Sequence, residues 1–114
     1  MRMIKSFRDA FNGIGFLIRT ERNFQIHLVA FVIAMGAGFY FHIGTRQFLI
    51  ILLVSALVFS LEGINTAIEK LCDEVTQERK ESIRVIKDIS AGAVLIAALF
   101  ALVIGVMIFF PYIF

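Results

Sequence analysis

The chain has 114 residues, which is enough for one domain, and 60% of them are apolar, against roughly 45–50% in a soluble domain. Charged residues make up 18% and are clustered, and no residue after Asp88 is charged. This pattern predicts an integral membrane protein and excludes an ordinary soluble domain. The net charge of +2 is a sum over separated blocks and does not indicate a nucleic-acid partner, so we expect none. The single cysteine, Cys72, excludes an internal disulfide.

Residues 1–23 predict a helix that lies on the membrane surface. Apolar residues recur there at helical spacing, while basic residues such as Lys5 and Arg8 occupy much of the remaining surface. Basic residues opposite an apolar face are typical of a helix in the interface plane. An ordinary amphipathic core helix is the alternative interpretation. The apolar positions are Met3, Ile4, Phe7, Phe11, Ile14 and Ile18.

Three apolar stretches predict transmembrane helices over residues 27–43, 48–68 and 89–110, so the expected fold is an all-α membrane protein. A short turn is expected over residues 44–47, and a charged loop over residues 70–88. Small residues in spanning helices allow close approach of a neighbouring helix. The candidates for such contacts are Gly36, Gly38, Ala93, Ala97, Ala101 and Gly105.

The far end of the third span carries Pro111, which we expect to end the helix. The orientation follows from the basic residues, because cytoplasmic loops are enriched in lysine and arginine. Ten of the eleven lie in the N-terminal segment and the 70–88 loop, whereas the 44–47 turn has Arg46 alone. We therefore expect the N-terminus and the 70–88 loop to be cytoplasmic and the C-terminus to be outside.

Seven of the nine acidic residues lie within residues 62–88. Four polar residues there share one face of a helix, at offsets of 0, 3, 7 and 11. The first of them ends an apolar run, and fourteen residue steps, about 21 Å of helix, separate it from Phe48. It therefore lies in the inner part of the ~30 Å hydrocarbon core or just under the headgroups, where a carboxylate is costly and a functional candidate. The four residues are Glu62, Asn65, Glu69 and Asp73.

These residue types fit phosphoryl transfer from a water-soluble nucleotide to a membrane alcohol. Carboxylates of this stripe, with Glu21 from the first segment, can hold Mg²⁺, which usually takes one or two protein carboxylates beside phosphate oxygens. Lys87 can stabilise charge on a transferring phosphoryl group. Glu62, at the lipid boundary, suits a general base for an alcohol that arrives from the membrane. The chain contains no Walker A motif and no soluble-kinase motif set.

The same residues carry a family resemblance. The string EGINTAIEKLCD over 62–73, with KD at 87–88 and AGAV at 91–94, resembles the bacterial diacylglycerol kinase family of small integral-membrane lipid kinases. The ExxNTxxExxxD pattern just inside a membrane span is specific. The string TERNFQIH over 20–27 resembles the members that act as undecaprenol kinases. The resemblance covers approximately residues 8–110.

The resemblance implies a homotrimer of three-span subunits in the bacterial inner (cell) membrane that uses ATP and Mg²⁺ to phosphorylate a lipid alcohol. The alcohol is undecaprenol, giving undecaprenyl phosphate, or diacylglycerol, giving phosphatidic acid. By motif position, Glu62 matches the general base, and Glu21 and Glu69 match metal-binding carboxylates that also hold the nucleotide. The remaining matches are the nucleotide-binding positions Asn65, Lys87 and Asp88 and the substrate-binding or supporting positions Thr66 and Asp73.

Two other classes of function remain open at this point. A small oligomeric channel or proton path lined by Glu62 and Glu69 is one, although residues 48–61 carry no charge across the depth that such a path needs. A noncatalytic membrane scaffold is the other, although converging carboxylates are costly when they have no function. Nucleotide binding that depends on Mg²⁺ is expected of the kinase alone.

Overall fold

The computed structural model describes all 114 residues and contains four helices and no strand. Helix α1 is Arg2–Thr20, α2 is Arg22–Phe41, α3 is Thr45–Val75 and α4 is Glu81–Ile113. The predicted all-α fold class is therefore confirmed.

Three of these helices, α2, α3 and α4, are long and apolar enough to cross a membrane, and the protein is a membrane protein. At 1.5 Å per residue, the 31 residues of α3 and the 33 residues of α4 measure about 46 and 50 Å. Both exceed the ~30 Å hydrocarbon core, so each continues past the lipid as a polar extension. These extensions carry the charges that the sequence assigned to the 70–88 loop, and only residues 76–80 connect the two helices.

Helix α1 lies against the bundle without entering it. None of its residues is buried, and its apolar side chains Phe7 and Phe11 are exposed. Leu17 makes the close approach to α3, where a methyl group added at Gly63 would lie 3.3 Å from its Cδ1 atom. An amphipathic helix with an uncovered apolar face is what a position in the membrane interface requires.

The buried positions of the spanning helices repeat at about 3.5 residues, which is typical of left-handed packing with side chains inserted between those of the neighbouring helix. In α3 four of the six buried residues recur every seven residues, and in α4 the first three are four and three residues apart. This buried face, which we call the seam, contains apolar residues in the membrane and polar ones near Glu62. Its members in α3 include Ile51, Val58, Asn65 and Cys72, and those in α4 include Ser90, Val94, Ala97 and Ile108.

The turn between α2 and α3 is shorter than the sequence predicted, because α3 begins at Thr45 and residues 45–47 are already helical. Gln47 explains the difference, since its Oε1 atom accepts a hydrogen bond of 3.0 Å from the backbone N–H of Gly44 and so caps the start of α3. His42 turns the chain in the left-handed conformation, with φ 56° and ψ 48°.

The expectation that Pro111 ends the last helix is wrong, because α4 continues through it to Ile113. Proline removes one backbone donor, and in the last turn of a helix this loses a single hydrogen bond. The continuation is also tied to the rest of the protein, since the Tyr112 hydroxyl donates to Gln47 Oε1 over 3.2 Å.

The small residues differ in what they contact within the chain. A methyl group added at Gly38 would lie 2.7 Å from Phe48 Cε1 and 2.9 Å from Ile43 Cδ1, whereas one added at Gly36 or Gly105 meets nothing within 4 Å. Gly38 therefore serves a close contact at the α2–α3 turn. Of the predicted small-residue stripe in α4, Ala97 is buried and the others are half-buried.

We predict that Gly38→Ala destabilises the protein by about 1–3 kcal/mol, because overpacking forces Phe48 and Ile43 to move. Gly36→Ala is the matched control, since it adds the same methyl group to the same helix in open space. Thermal unfolding followed by circular dichroism in detergent should show a lower Tm for the first variant alone. Equal melting temperatures would refute the close contact.

Candidate functional site

Three of the predicted site residues are buried together in the second half of α3. The exposed fractions are 3% for Glu62, 6% for Asn65 and 5% for Thr66. They lie three and four residues apart and so occupy adjacent turns of one helix face. Polar side chains buried to this degree are uncommon unless they have partners or a function.

Carboxylates from two elements meet at this level. Glu62 lies within electrostatic range of Glu69 on its own helix and of Glu21 and His27 from the α1–α2 region. Glu21 is the single non-helical residue between α1 and α2, and its backbone is extended there, with φ −97° and ψ 110°. Glu69 and Glu21 are therefore near enough to influence Glu62 electrostatically, although the three carboxylates do not form a compact cluster.

The hydrogen bonding of this cluster is incomplete within the chain. Asn65 Nδ2 donates to Glu69 Oε1 over 3.5 Å, at the long limit of a hydrogen bond. Asn65 Oδ1 and Thr66 Oγ1 are both buried and have no hydrogen-bond partner. An unpaired buried polar atom costs about 1–3 kcal/mol, and such atoms in native proteins call for an explanation. A bound ligand could supply the missing hydrogen-bond partners of these two atoms.

The remaining predicted residues lie outside this buried cluster. Asp73 is exposed and accepts a hydrogen bond of 2.7 Å from Lys87 Nζ, which links α3 to α4 across the connecting loop. This hydrogen bond raises the pKa of Lys87, which lies in the polar start of α4 and is also within electrostatic range of Glu69. Asp88 is exposed as well and pairs with Arg84 Nη1 over 2.7 Å. Lys87 therefore borders the carboxylate cluster, and Asp88 is engaged elsewhere.

An apolar groove of about 750 Å³ opens beside the cluster, between α1, α2 and α3. Its walls include Ile14, Leu17, Phe24 and Phe59, and Thr66 lines it too. Thr66 thus borders both the polar cluster and the groove. Glu62 does not itself line the groove, so the arrangement can hold an apolar chain on one side of α3 with a polar head near Thr66, one turn from Glu62.

Sequence reasoning missed one residue of this region, Lys70. It lines the groove, and its Nζ atom lies 4.9 Å from the centre of the Phe16 ring on α1. Lys70 follows Thr66 by four residues, so helical spacing alone predicts that the two share a face. His27 is within electrostatic range of Glu62 as well.

Comparison with known proteins gives a family for this arrangement. The family model described as prokaryotic diacylglycerol kinase matches residues 8–109. The chain belongs to the prokaryotic diacylglycerol kinase family. It is 40% identical over 110 residues to the undecaprenol kinase of Bacillus subtilis (strain 168), a match that covers 96% of this chain and 89% of that protein.

A second relative is named for a different lipid substrate. The diacylglycerol kinase of Synechocystis sp. (strain ATCC 27184 / PCC 6803 / Kazusa) is 36% identical over 110 residues, which cover 96% of this chain and 63% of that protein. The family and both relatives identify the protein as a lipid kinase. The buried Glu62 carboxylate and the half-buried Glu21 and Glu69, beside an apolar groove, are therefore the candidate active site of this kinase family member.

We predict that Asp73→Asn loosens the connection between α3 and α4, because it removes the charge that pairs with Lys87. Exposed ion pairs contribute about 0–1 kcal/mol, so hydrogen exchange of the 76–80 loop should accelerate by up to about fivefold. The acceleration should shrink at high salt, where the wild-type pair is screened.

Glu74→Gln is the control for this measurement, since Glu74 is a neighbouring exposed carboxylate that forms no salt bridge. Equal exchange rates in wild type and Asp73→Asn at low salt would show that the pair does not hold the loop.

Proposed function

We propose that this protein is an ATP- and Mg²⁺-dependent kinase that phosphorylates the hydroxyl of a membrane lipid alcohol, with undecaprenol as the preferred substrate. The product is then undecaprenyl phosphate; diacylglycerol, which would give phosphatidic acid, is the second candidate. The observation that carries the proposal is the buried Glu62 carboxylate, flanked by unpaired polar atoms and by an apolar groove. Undecaprenol is favoured because the relative named undecaprenol kinase matches over 89% of its length at 40% identity.

Glu62 is the proposed general base. The lipid alcohol lies in the groove with its hydroxyl at headgroup depth, and Glu62 accepts the hydroxyl proton while the oxygen attacks the γ-phosphorus. The bond from the γ-phosphorus to the β–γ bridging oxygen breaks, and ADP leaves. A positioned base contributes about 10²- to 10⁴-fold to such reactions, and most of the remaining rate comes from positioning and charge neutralisation.

The nucleotide is proposed to approach from the water side of the same cluster. Asn65, through its Nδ2 donor, and Lys87, through its ammonium group, contact the phosphates, and Asp88 supports this end of the site. The unpaired Asn65 Oδ1 is an acceptor and would take a hydrogen bond from a water molecule or a hydroxyl group. Thr66 is proposed to support the lipid, since it lines the groove, and Asp73 is proposed to support Lys87, with which it pairs.

The carboxylates fit an ion that arrives with the nucleotide. No group of three histidine, cysteine, aspartate or glutamate side chains is close enough within the chain to form a metal cluster by itself. Mg²⁺ needs only one or two protein carboxylates when phosphate oxygens and water complete its shell, and Glu21 and Glu69 supply two. When bound, the ion would neutralise charge on the phosphates.

The proposed setting is the bacterial inner (cell) membrane, with the N-terminus and the 70–88 region in the cytoplasm and the C-terminus outside. The distribution of basic residues supports this orientation, because the site then faces the compartment that contains ATP. A homotrimer is proposed from the family resemblance. It is consistent with a site that lies open at the side of a single chain.

We predict that Glu62→Gln lowers phosphate transfer by at least about 100-fold, because the amide keeps the side-chain shape but cannot accept the proton. Transfer from labelled ATP would be measured in mixed micelles with undecaprenol and diacylglycerol in parallel. Glu74→Gln, an exposed site outside the cluster, is the matched control. Full activity of the first variant would remove Glu62 as the base, and faster transfer to diacylglycerol would reverse the substrate preference.

A separate prediction concerns Glu21 and Glu69. The changes Glu21→Gln and Glu69→Gln should each raise the Mg²⁺ concentration needed for half-maximal binding of a nonhydrolysable ATP analogue by about tenfold or more, since each removes a charged ligand. Calorimetric titration at several Mg²⁺ concentrations would measure this shift. Glu78→Gln, in the exposed connecting loop, should leave it unchanged. An unchanged requirement in all variants would contradict the assignment of both carboxylates.

A further inference from the structure

Lys70 is the only charged residue that lines the groove between α1, α2 and α3. It forms no salt bridge, unlike Lys87 and Arg84, which pair with carboxylates nearby. Its neighbour is the face of the Phe16 ring, 4.9 Å from Nζ to the ring centre. An aromatic face attracts an ammonium group without occupying its three N–H donors as carboxylate oxygens would. Lys70 therefore keeps donors available at the edge of an apolar groove.

Thr66 supplies a second polar group on the same face of α3. It precedes Lys70 by four residues, one turn of helix, and lines the same groove. Its hydroxyl is buried and has no partner in the chain. Long side chains on a helix lean toward its N-terminus, so the Lys70 ammonium is directed toward the level of Thr66. Lys70 and Thr66 make one polar corner in a groove whose other walls are mainly apolar, with the ammonium group accessible and the Thr66 hydroxyl covered.

We propose that this corner binds the phosphate of a lipid phosphate monoester, whose apolar chain occupies the groove. The inference rests on the proposed function, because that reaction converts a neutral lipid alcohol into such a monoester in the same place. A phosphate monoester carries about −1.5 to −2 charges near pH 7, and the alcohol carries none. Lys70 thus discriminates product from substrate, and it is a determinant of product binding and release.

The size of the expected effect follows from the contact that would be lost. A charge-assisted hydrogen bond between an ammonium group and a phosphate is roughly twice as strong as a neutral one. Removal of the ammonium group should weaken product binding by about tenfold. Lys70→Arg retains the charge and should bind within about threefold of wild type.

The test is binding of dioctanoyl phosphatidic acid to the full chain in nonionic-detergent micelles, followed by calorimetry and by the ³¹P resonance of the ligand. Wild type should bind and shift the resonance, and Lys70→Met should bind about tenfold more weakly. Lys80→Met is the matched control, since it removes the same charge from the exposed connecting loop outside the groove. Two control ligands separate the parts of the product: dioctanoylglycerol has the acyl chains but no phosphate, and inorganic phosphate has no acyl chain.

Two results would overturn the proposal. One is equal affinity of wild type and Lys70→Met for the lipid phosphate, with both proteins equally helical by circular dichroism. The other is binding of inorganic phosphate as tight as that of the lipid phosphate and equally dependent on Lys70, which would make the corner a site for free phosphate. If Lys70→Met fails to fold, Lys70→Gln takes its place with the same expected loss.

Phosphate transfer to undecaprenol and diacylglycerol, measured on the same preparations, separates this inference from the proposed function. Transfer by wild type together with binding independent of Lys70 would overturn the inference alone. Absence of transfer together with Lys70-dependent binding would overturn the proposed reaction and leave the lipid phosphate site in place.

Discussion

The burial of a carboxylate on a helix–helix seam at the membrane boundary is the constraint on which the rest of the structure depends. Glu62 is almost fully hidden, and a charge in that position is unfavourable unless neighbouring groups stabilise it. Asn65 on α3 and His27 near the start of α2 favour the charged carboxylate, whereas Glu69 and Glu21 carry the same charge and repel it. A bound cation would offset that repulsion. The break between α1 and α2 therefore separates the two helices and also places Glu21 and His27 within electrostatic range of Glu62.

The seam also explains which polar residues of α3 are buried. At about 3.5 residues per turn, positions seven apart stay on the same face, so the seam that contains Ile51 and Val58 continues through Asn65 to Cys72. Asp73 is one residue further, about 103° around the helix, and it is exposed. Cys72 is thus the last buried residue of the seam in α3, and the exposed Asp73 pairs with Lys87.

The broad architecture was predictable because it depends on composition along the chain. Long uncharged runs, an amphipathic N-terminal stretch and clustered charges led to three spans and a surface helix. Depth and helical spacing led to the prediction that Glu62, Glu69 and Glu21 act together. The predictions that were wrong concern helix ends, which depend on single contacts. Helix α4 passes Pro111 because one missing donor near a helix end costs little, and α3 begins early because the Gln47 side chain caps Gly44.

Lys70 shows the same limit at the candidate site. Its spacing from Thr66 is visible in the sequence, but the groove beside it exists only because α1 folds back against α2 and α3. No local pattern specifies that return, since it depends on the angle at Glu21 and on the contact of Leu17 with Gly63. A lysine read from the sequence as part of a charged loop thereby becomes the one charged residue that lines an apolar cavity.

In the proposed reaction, the geometry of α3 would keep the two substrates on different faces of one helix until they meet. Residues on adjacent turns face different neighbours: Asn65 and Glu69 continue along the polar cluster toward water, whereas Gly63, Thr66 and Lys70 face the groove under α1. A nucleotide that enters along the first face and a lipid that enters along the second would meet near Glu62 and Thr66, the two residues that lie one turn apart where the faces join. One helix would then carry both proposed binding surfaces, with the buried carboxylate at the boundary between them.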